Sequence, residues 1–186
     1  MLLPISYIEA KTLKFNPTMS TEIPPPHITS KETPREIFSA DFPSIGELPI
    51  QGGWGYTLED AVIIDKNDPI VSKVLPFDGL GIEYVFVEKR IYEELIIFRD
   101  INERYSGIEW NLLEQSLKHH NNRVYDKLIF EVTALPDQDW EELKAEWESP
   151  DGFGTPDFDE DSHNLKRDSR TIRFIAEYWF DITSYY

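Results

Sequence analysis

Polar and apolar residues alternate most regularly late in the chain. Across residues 125–133, Tyr125, Lys127, Ile129 and Glu131 fall on one side of an extended backbone, and Asp126, Leu128, Phe130 and Val132 on the other. One side is therefore nearly all apolar, as a strand with a single wet face requires. The last segment, residues 171–183, has the same richness in aromatic and β-branched residues, the types that suit a pleated, half-buried surface. The two segments are predicted to be central strands of a mostly antiparallel sheet, with 174–182 lying against 128–132. The acidic stretch between them is then folded outside the sheet.

A different period governs residues 82–99. Tyr84, Val87, Ile91, Leu95 and Phe98 recur at spacings of three and four, with Glu88-Lys89-Arg90 and Glu93-Glu94 largely opposite. This pattern predicts the principal helix, near 83–99. The β-rich opening Tyr84-Val85-Phe86-Val87 leaves a strand turning into a helix near Glu88 as an alternative. A second, short acidic helix is predicted near 139–148, where Trp140, Leu143 and Trp147 share a stripe, Asp137 and Asp139 precede it, and Ser149-Pro150-Asp151-Gly152 stops it. Residues 106–117 fit either period. Followed by the polar run Lys118-His119-His120-Asn121-Asn122-Arg123, they read as the first arm of a hairpin. Strands at 61–64 and at 6–15, with a glycine-kinked strand end at 49–56, complete an α+β fold whose sheet has four to six strands.

Proline changes the picture at the start. Residues 1–46 carry Pro4, Pro17, the run Pro24-Pro25-Pro26, Pro34 and Pro43, and read as an extended arm. Residues 47–186 are read as a single α+β domain with an acidic insertion at 137–161. That insertion holds eleven acids against the one base Lys144, and so −10 of the net charge of −17. Such a chain is repelled by nucleic-acid phosphates and by anionic membrane surfaces, and attracted to basic proteins. No apolar run approaches the length of a membrane span. The opening residues lack the basic and uninterrupted apolar regions of a signal peptide, so a cytoplasmic protein is expected.

Candidate chemistry is sparse. There is no cysteine, which removes disulfides, thiolate metal sites and a thiol nucleophile. Gly52-Gly53-Trp54-Gly55 lacks the spacing of a phosphate-cradling loop. Asp157, Asp159 and Asp161 open like a calcium loop, but its sixth position is Ser162 rather than Gly and its twelfth Asp168 rather than Glu. A solvated acidic loop is the better reading. His119 and His120 diverge if extended, and His27 and His163 have no metal-site spacing. Glu59 and Asp60, near aromatics and a glycine bend, are the one carboxylate pair suited to hydrolase chemistry with a histidine. We therefore expect no catalytic residue, no metal and no cofactor. Hydrolysis at Glu59/Asp60 is one alternative, and an acidic structural or phage-encoded decoy module another.

The run Gly52-Gly53-Trp54-Gly55-Tyr56 with Glu59-Asp60-Ala61-Val62-Ile63-Ile64, then Tyr125-Asp126-Lys127-Leu128, and the ending Phe180-Asp181-Ile182-Thr183-Ser184-Tyr185-Tyr186 resemble small acidic bacterial immunity proteins of contact-dependent and polymorphic toxin systems. The likeness covers about residues 50–135 and the C-terminus. It implies a cytoplasmic, non-catalytic α+β protein that blocks a toxin by binding it, and it transfers no interface residue. Charge and aromatic content place the expected partner-binding face instead at Asp139, Trp140, Glu141, Glu142, Glu146, Trp147, Asp157 and Asp159.

Overall fold

The chain is described by a computed structural model covering residues 21–186; the strand expected at 6–15 lies outside the described residues. In chain order the elements are β1 (Thr21–Glu22), α1 (Pro34–Asp41), β2 (Ile50–Gly52), β3 (Val62–Ile64), α2 (Gly79–Tyr92), β4 (Tyr105–His120), β5 (Arg123–Pro136), α3 (Asp137–Glu148), α4 (Glu160–Arg170) and β6 (Ile172–Asp181). The sheet runs β2-β3-β6-β5-β4, and β1 joins the start of β6 in parallel. Among the described residues this is an α+β fold with a six-stranded, mostly antiparallel sheet.

The two patterned segments pair as expected. Leu128 faces Tyr178 and Val132 faces Phe174 across β5 and β6. Asp126, Leu128, Phe130, Val132 and Ala134 turn toward the core, where all are buried. The ambiguous stretch before them is strand, not helix. The β4–β5 hairpin closes on Asn121-Asn122, both at positive φ (49° and 59°), a conformation asparagine tolerates better than most residues. Two register shifts bulge β4, one between Ser106 and Glu109 and one between Leu112 and Glu114.

The principal helix is present, with Asp78 Oδ1 accepting from the Gly81 amide at 2.8 Å as its N-cap. Its last turn widens over Glu93–Ile97, where the Phe98 amide donates to the Glu93 carbonyl five residues back at 2.9 Å. Val87, Ile91 and Leu95 are wholly buried as expected, whereas Tyr84 and Phe98 are 39% and 44% exposed. Of the five charged residues placed on the outer side, Glu88 and Lys89 are half-buried, but Arg90, Glu93 and Glu94 are each 3% exposed or less. Arg90 and Glu94 turn toward Tyr178 of β6 and the glycine turn after β2, and Glu93 lies beside Asp41 at the end of α1, while Leu80 and Tyr84 keep one side of α2 wet.

Within the proline-rich region, α1 begins with Pro34 at its first turn and a capping box in which the Thr33 amide donates to Glu36 Oε2 at 2.8 Å. Ile37 and Phe38 enter the same core as α2, with the Phe38 and Phe86 rings 5.2 Å apart. Arg35 fastens the helix to the loop after β3 through the buried Asp68 carboxylate, at 2.6 Å. No helix among the described residues is long and apolar enough to cross a membrane.

Candidate functional site: the α3–α4 acidic cap

The insertion between β5 and β6 is two helices packed against the end of the hairpin. Helix α3 continues directly from β5, and Ser106 Oγ donates to Asp137 Oδ1 at 2.7 Å across to β4. Trp140 lies over Gly107, whose φ of +57° belongs to the first β4 bulge; a Cβ there would stand 2.8 Å from the indole ring. Helix α4 was not expected from the sequence, which read its start as an acidic loop. Asp159 is its N-cap, its Oδ1 accepting from the Ser162 amide at 3.0 Å. Glu160 and Asp161 occupy its first turn, Arg167 and Arg170 its last. That polarity matches the helix dipole. The helix escapes a hydrophobic reading because His163 is its sole buried residue and Leu165 is exposed.

The bases of α4 clasp the acids of α3. Arg170 Nη1 lies 3.0 Å from Asp139 Oδ1 and 2.8 Å from Glu142 Oε2, and Lys166 Nζ lies 2.8 Å from Glu146 Oε1. The hydrogen bond from Arg170 holds the Glu142 carboxyl below its ordinary range, and the one from Lys166 does the same for Glu146. Asp139, Glu142 and Glu146 are therefore engaged within the cap. Glu141, Glu148, Asp151, Asp157, Asp159, Glu160 and Asp161 are exposed and, among the described residues, make no ion pair.

Aromatic rings form a small core inside the cap. Trp147 stacks on Phe153 with centroids 4.0 Å apart and planes 9° from parallel, while Phe158 meets it edge-on at 5.6 Å. His163 packs 5.2 Å from Trp147 and 5.5 Å from Phe158. Trp140 and Trp147 are both partly buried, so each contributes to holding the cap together as well as to its surface.

The other polar groups singled out in the sequence fall elsewhere. Asp60 Oδ2 accepts from the Trp54 amide at 3.1 Å and pins the glycine turn, while Glu59 is exposed. Glu59, His120, Arg123 and Asp181 line one shallow cleft, where Arg123 pairs with Asp181 at 2.6 Å. No three His, Asp or Glu side chains converge to hold a metal among the described residues.

The strongest electrostatic feature lies under the sheet, where periodicity gave no sign of it. Arg90 Nε donates to Glu94 Oε1 at 2.8 Å, and its Nη1 donates to the carbonyls of Trp54 and Glu177 at 3.0 and 3.1 Å. The guanidinium is sandwiched between Tyr56 and Tyr178, 4.0 Å from each ring centroid. Tyr56 completes the network, its hydroxyl donating to Glu94 Oε1 at 2.7 Å and accepting from the Ile28 amide at 2.8 Å. Burial pushes both phenols up, and although burial opposes the charge on Arg90, Glu94 and the tyrosines hold it on. Two further acids along the same helical stretch are buried. Burial, helped by Asp41, pushes Glu93 up to about 8. Burial pushes Glu83 up to about 7, with Tyr185 donating to it at 2.8 Å and Asp126 opposing its ionisation. The network ties α2 to β6 and to the glycine turn; its enclosure fits it to hold the layers together rather than to meet a substrate.

Comparison with protein-family models, with curated proteins and with solved structures finds no match.

Proposed function

We propose that this chain is a non-catalytic, acidic protein-binding inhibitor of the immunity or antitoxin type, and that the α3–α4 cap is the face that meets a basic partner such as a toxin domain. The observation that supports this reading most is the division of acids within the cap. Three are paired with two bases of α4, which makes the cap a defined body, while seven remain exposed and, among the described residues, without an ion pair. A field of one sign on a rigid support speeds encounter with a basic surface and disfavours acidic competitors. The central groups with strong charge are enclosed beneath the sheet, where they serve the fold, which turns attention to the cap.

The test is to express the chain with the product of the neighbouring gene and ask whether the two co-purify, and whether the chain abolishes that product's activity. Stoichiometric capture with loss of activity is expected. A neighbouring product that neither binds nor is inhibited would overturn the reading. So would turnover of a substrate by the purified chain that Glu59→Gln removes, which would restore the hydrolase alternative.

A further inference from the structure

The groove between α3 and α4 carries two bases, Lys144 and Arg167, that capture of a basic protein does not use. It encloses about 340 Å³, the lower end of the range for small-molecule sites. Leu135 and Leu143 make an apolar floor, both nearly fully buried. Trp140 and Trp147 form aromatic walls, and Trp147 is held flat in advance by the stacked Phe153. Lys144 from α3 and Arg167 from α4 stand at the rim, opposed by the single acid Glu148.

That rim is unusual for a chain of net charge −17. The other bases of α4 are spent on the clasp, but Lys144 makes no ion pair among the described residues, and Arg167 has only its neighbour Asp168, at a loose 3.4 Å. His163 also lines the groove, at 5% exposure, with its Nδ1 3.7 Å from the Glu146 carboxylate that Lys166 engages.

We propose that this groove binds a small planar aromatic carboxylate, its ring between the tryptophans over Leu143 and its anionic end held by Lys144 and Arg167. A cationic ligand would meet two like charges at the rim. A phosphate would bury its charge against an apolar floor. An aromatic acid of one or two rings satisfies the floor and the rim together.

Indole-3-acetate is the probe, with neutral indole and cationic tryptamine as controls, added to the full chain at fixed ionic strength. Amide and side-chain NMR shifts locate the site. Saturable binding centred on Trp140, Trp147 and His163 is expected, strongest for the carboxylate and weakest for the amine. Lys144→Glu and Arg167→Glu, both at exposed positions, should each weaken the carboxylate roughly tenfold while leaving indole unchanged. Circular dichroism checks that the variants remain folded. Shifts that do not saturate, a site elsewhere, or equal binding by tryptamine would overturn the proposal. So would indole binding as tightly as its acid, which would make the groove a socket for a partner's aromatic side chain. No protein partner enters the experiment, so its outcome is independent of the capture reading above.

Discussion

Arg90 and Arg170 each stand against carboxylates, one beneath the sheet and the other on the outer helix. Arg90 is 2.8 Å from Glu94 with both side chains nearly inaccessible, and two tyrosine rings and two carbonyls complete its surroundings. Arg170 is 2.8 Å from Glu142 and 3.0 Å from Asp139, with about a third of its side chain in water. The distances are alike and the media are not. A buried pair whose partner is removed leaves an uncompensated charge in low dielectric; an exposed pair gives its charge back to water. Arg90 is thus part of what holds the layers together. Arg170 shapes the cap and leaves the rest of its acid free.

The largest effect expected is from Arg90→Ala, which strands Glu94 and should lower stability by about 3–5 kcal/mol. Arg90→Met combined with Glu94→Gln should recover a large part of that, because no lone charge remains. Urea unfolding of the three proteins checks this, and a single variant as stable as the parent would erase the contrast.

Next comes pH, where the two regions have opposite signs. Glu93 and Glu83 are raised to about 8 and about 7 from an ordinary value of 4.5. The folded chain holds protons there that the unfolded chain has released. Their stabilisation is complete below the ordinary value and is lost as pH rises through 7 and 8, on the order of a few kcal/mol in all. Glu142 and Glu146 are lowered, so their contribution is present above the ordinary carboxylate range and disappears as pH falls through their depressed values. Urea midpoints should decline between about pH 5 and pH 9, and Glu93→Gln should flatten the slope. A flat profile in the parent chain would contradict the burial of these acids.

Trp147→Ala sharpens the comparison at intermediate size. It removes the ring that Phe153, Phe158 and His163 pack around. The partly exposed site should lose about 1–3 kcal/mol, less than a full core aromatic. Hydrogen exchange should quicken across residues 137–170 with the β5–β6 amides still protected. Loosening spread evenly over the chain would show that cap and sheet unfold as one unit. Arg170→Ala should do least, leaving the global midpoint near that of the parent in strong salt.

The same contrast explains which parts the sequence disclosed. The pairing of Leu128 and Val132 with Tyr178 and Phe174 was legible because one face is wet and one dry, so period two survives. Helix α3 was legible from Trp140, Leu143 and Trp147. Arg90, Glu93 and Glu94 misled, because periodicity assigns charge to water and cannot see that β6, the glycine turn and the end of α1 close around them. Helix α1 did carry a signal, the Thr33-Pro34…Glu36 capping box, hidden among prolines that favour an extended reading. Helix α4 is held by a cap, a dipole-matched charge gradient and ion pairs to α3, with almost no apolar stripe. Of the candidate interface, the acids were visible in the sequence. Their division into clasped Asp139, Glu142 and Glu146 and unpaired Glu141, Asp157 and Asp159 needed the bases of α4 to be placed in space.

That division is the central claim, and association kinetics test it most directly. The rate of capture of the neighbouring gene product should be measured by stopped flow at low and at physiological salt. The comparison is between the parent, a variant reversing the unpaired acids (Glu141→Lys, Glu160→Lys, Asp161→Lys) and a variant neutralising the clasped pair (Glu142→Gln, Glu146→Gln). Capture by the parent should slow as salt shortens the Debye length to about 8 Å. The first variant should be slow at both concentrations, and the second should stay close to the parent. Association that ignores salt, or that proceeds undiminished when Glu141, Glu160 and Asp161 are reversed, would show that the cap's free charge has no part in capture.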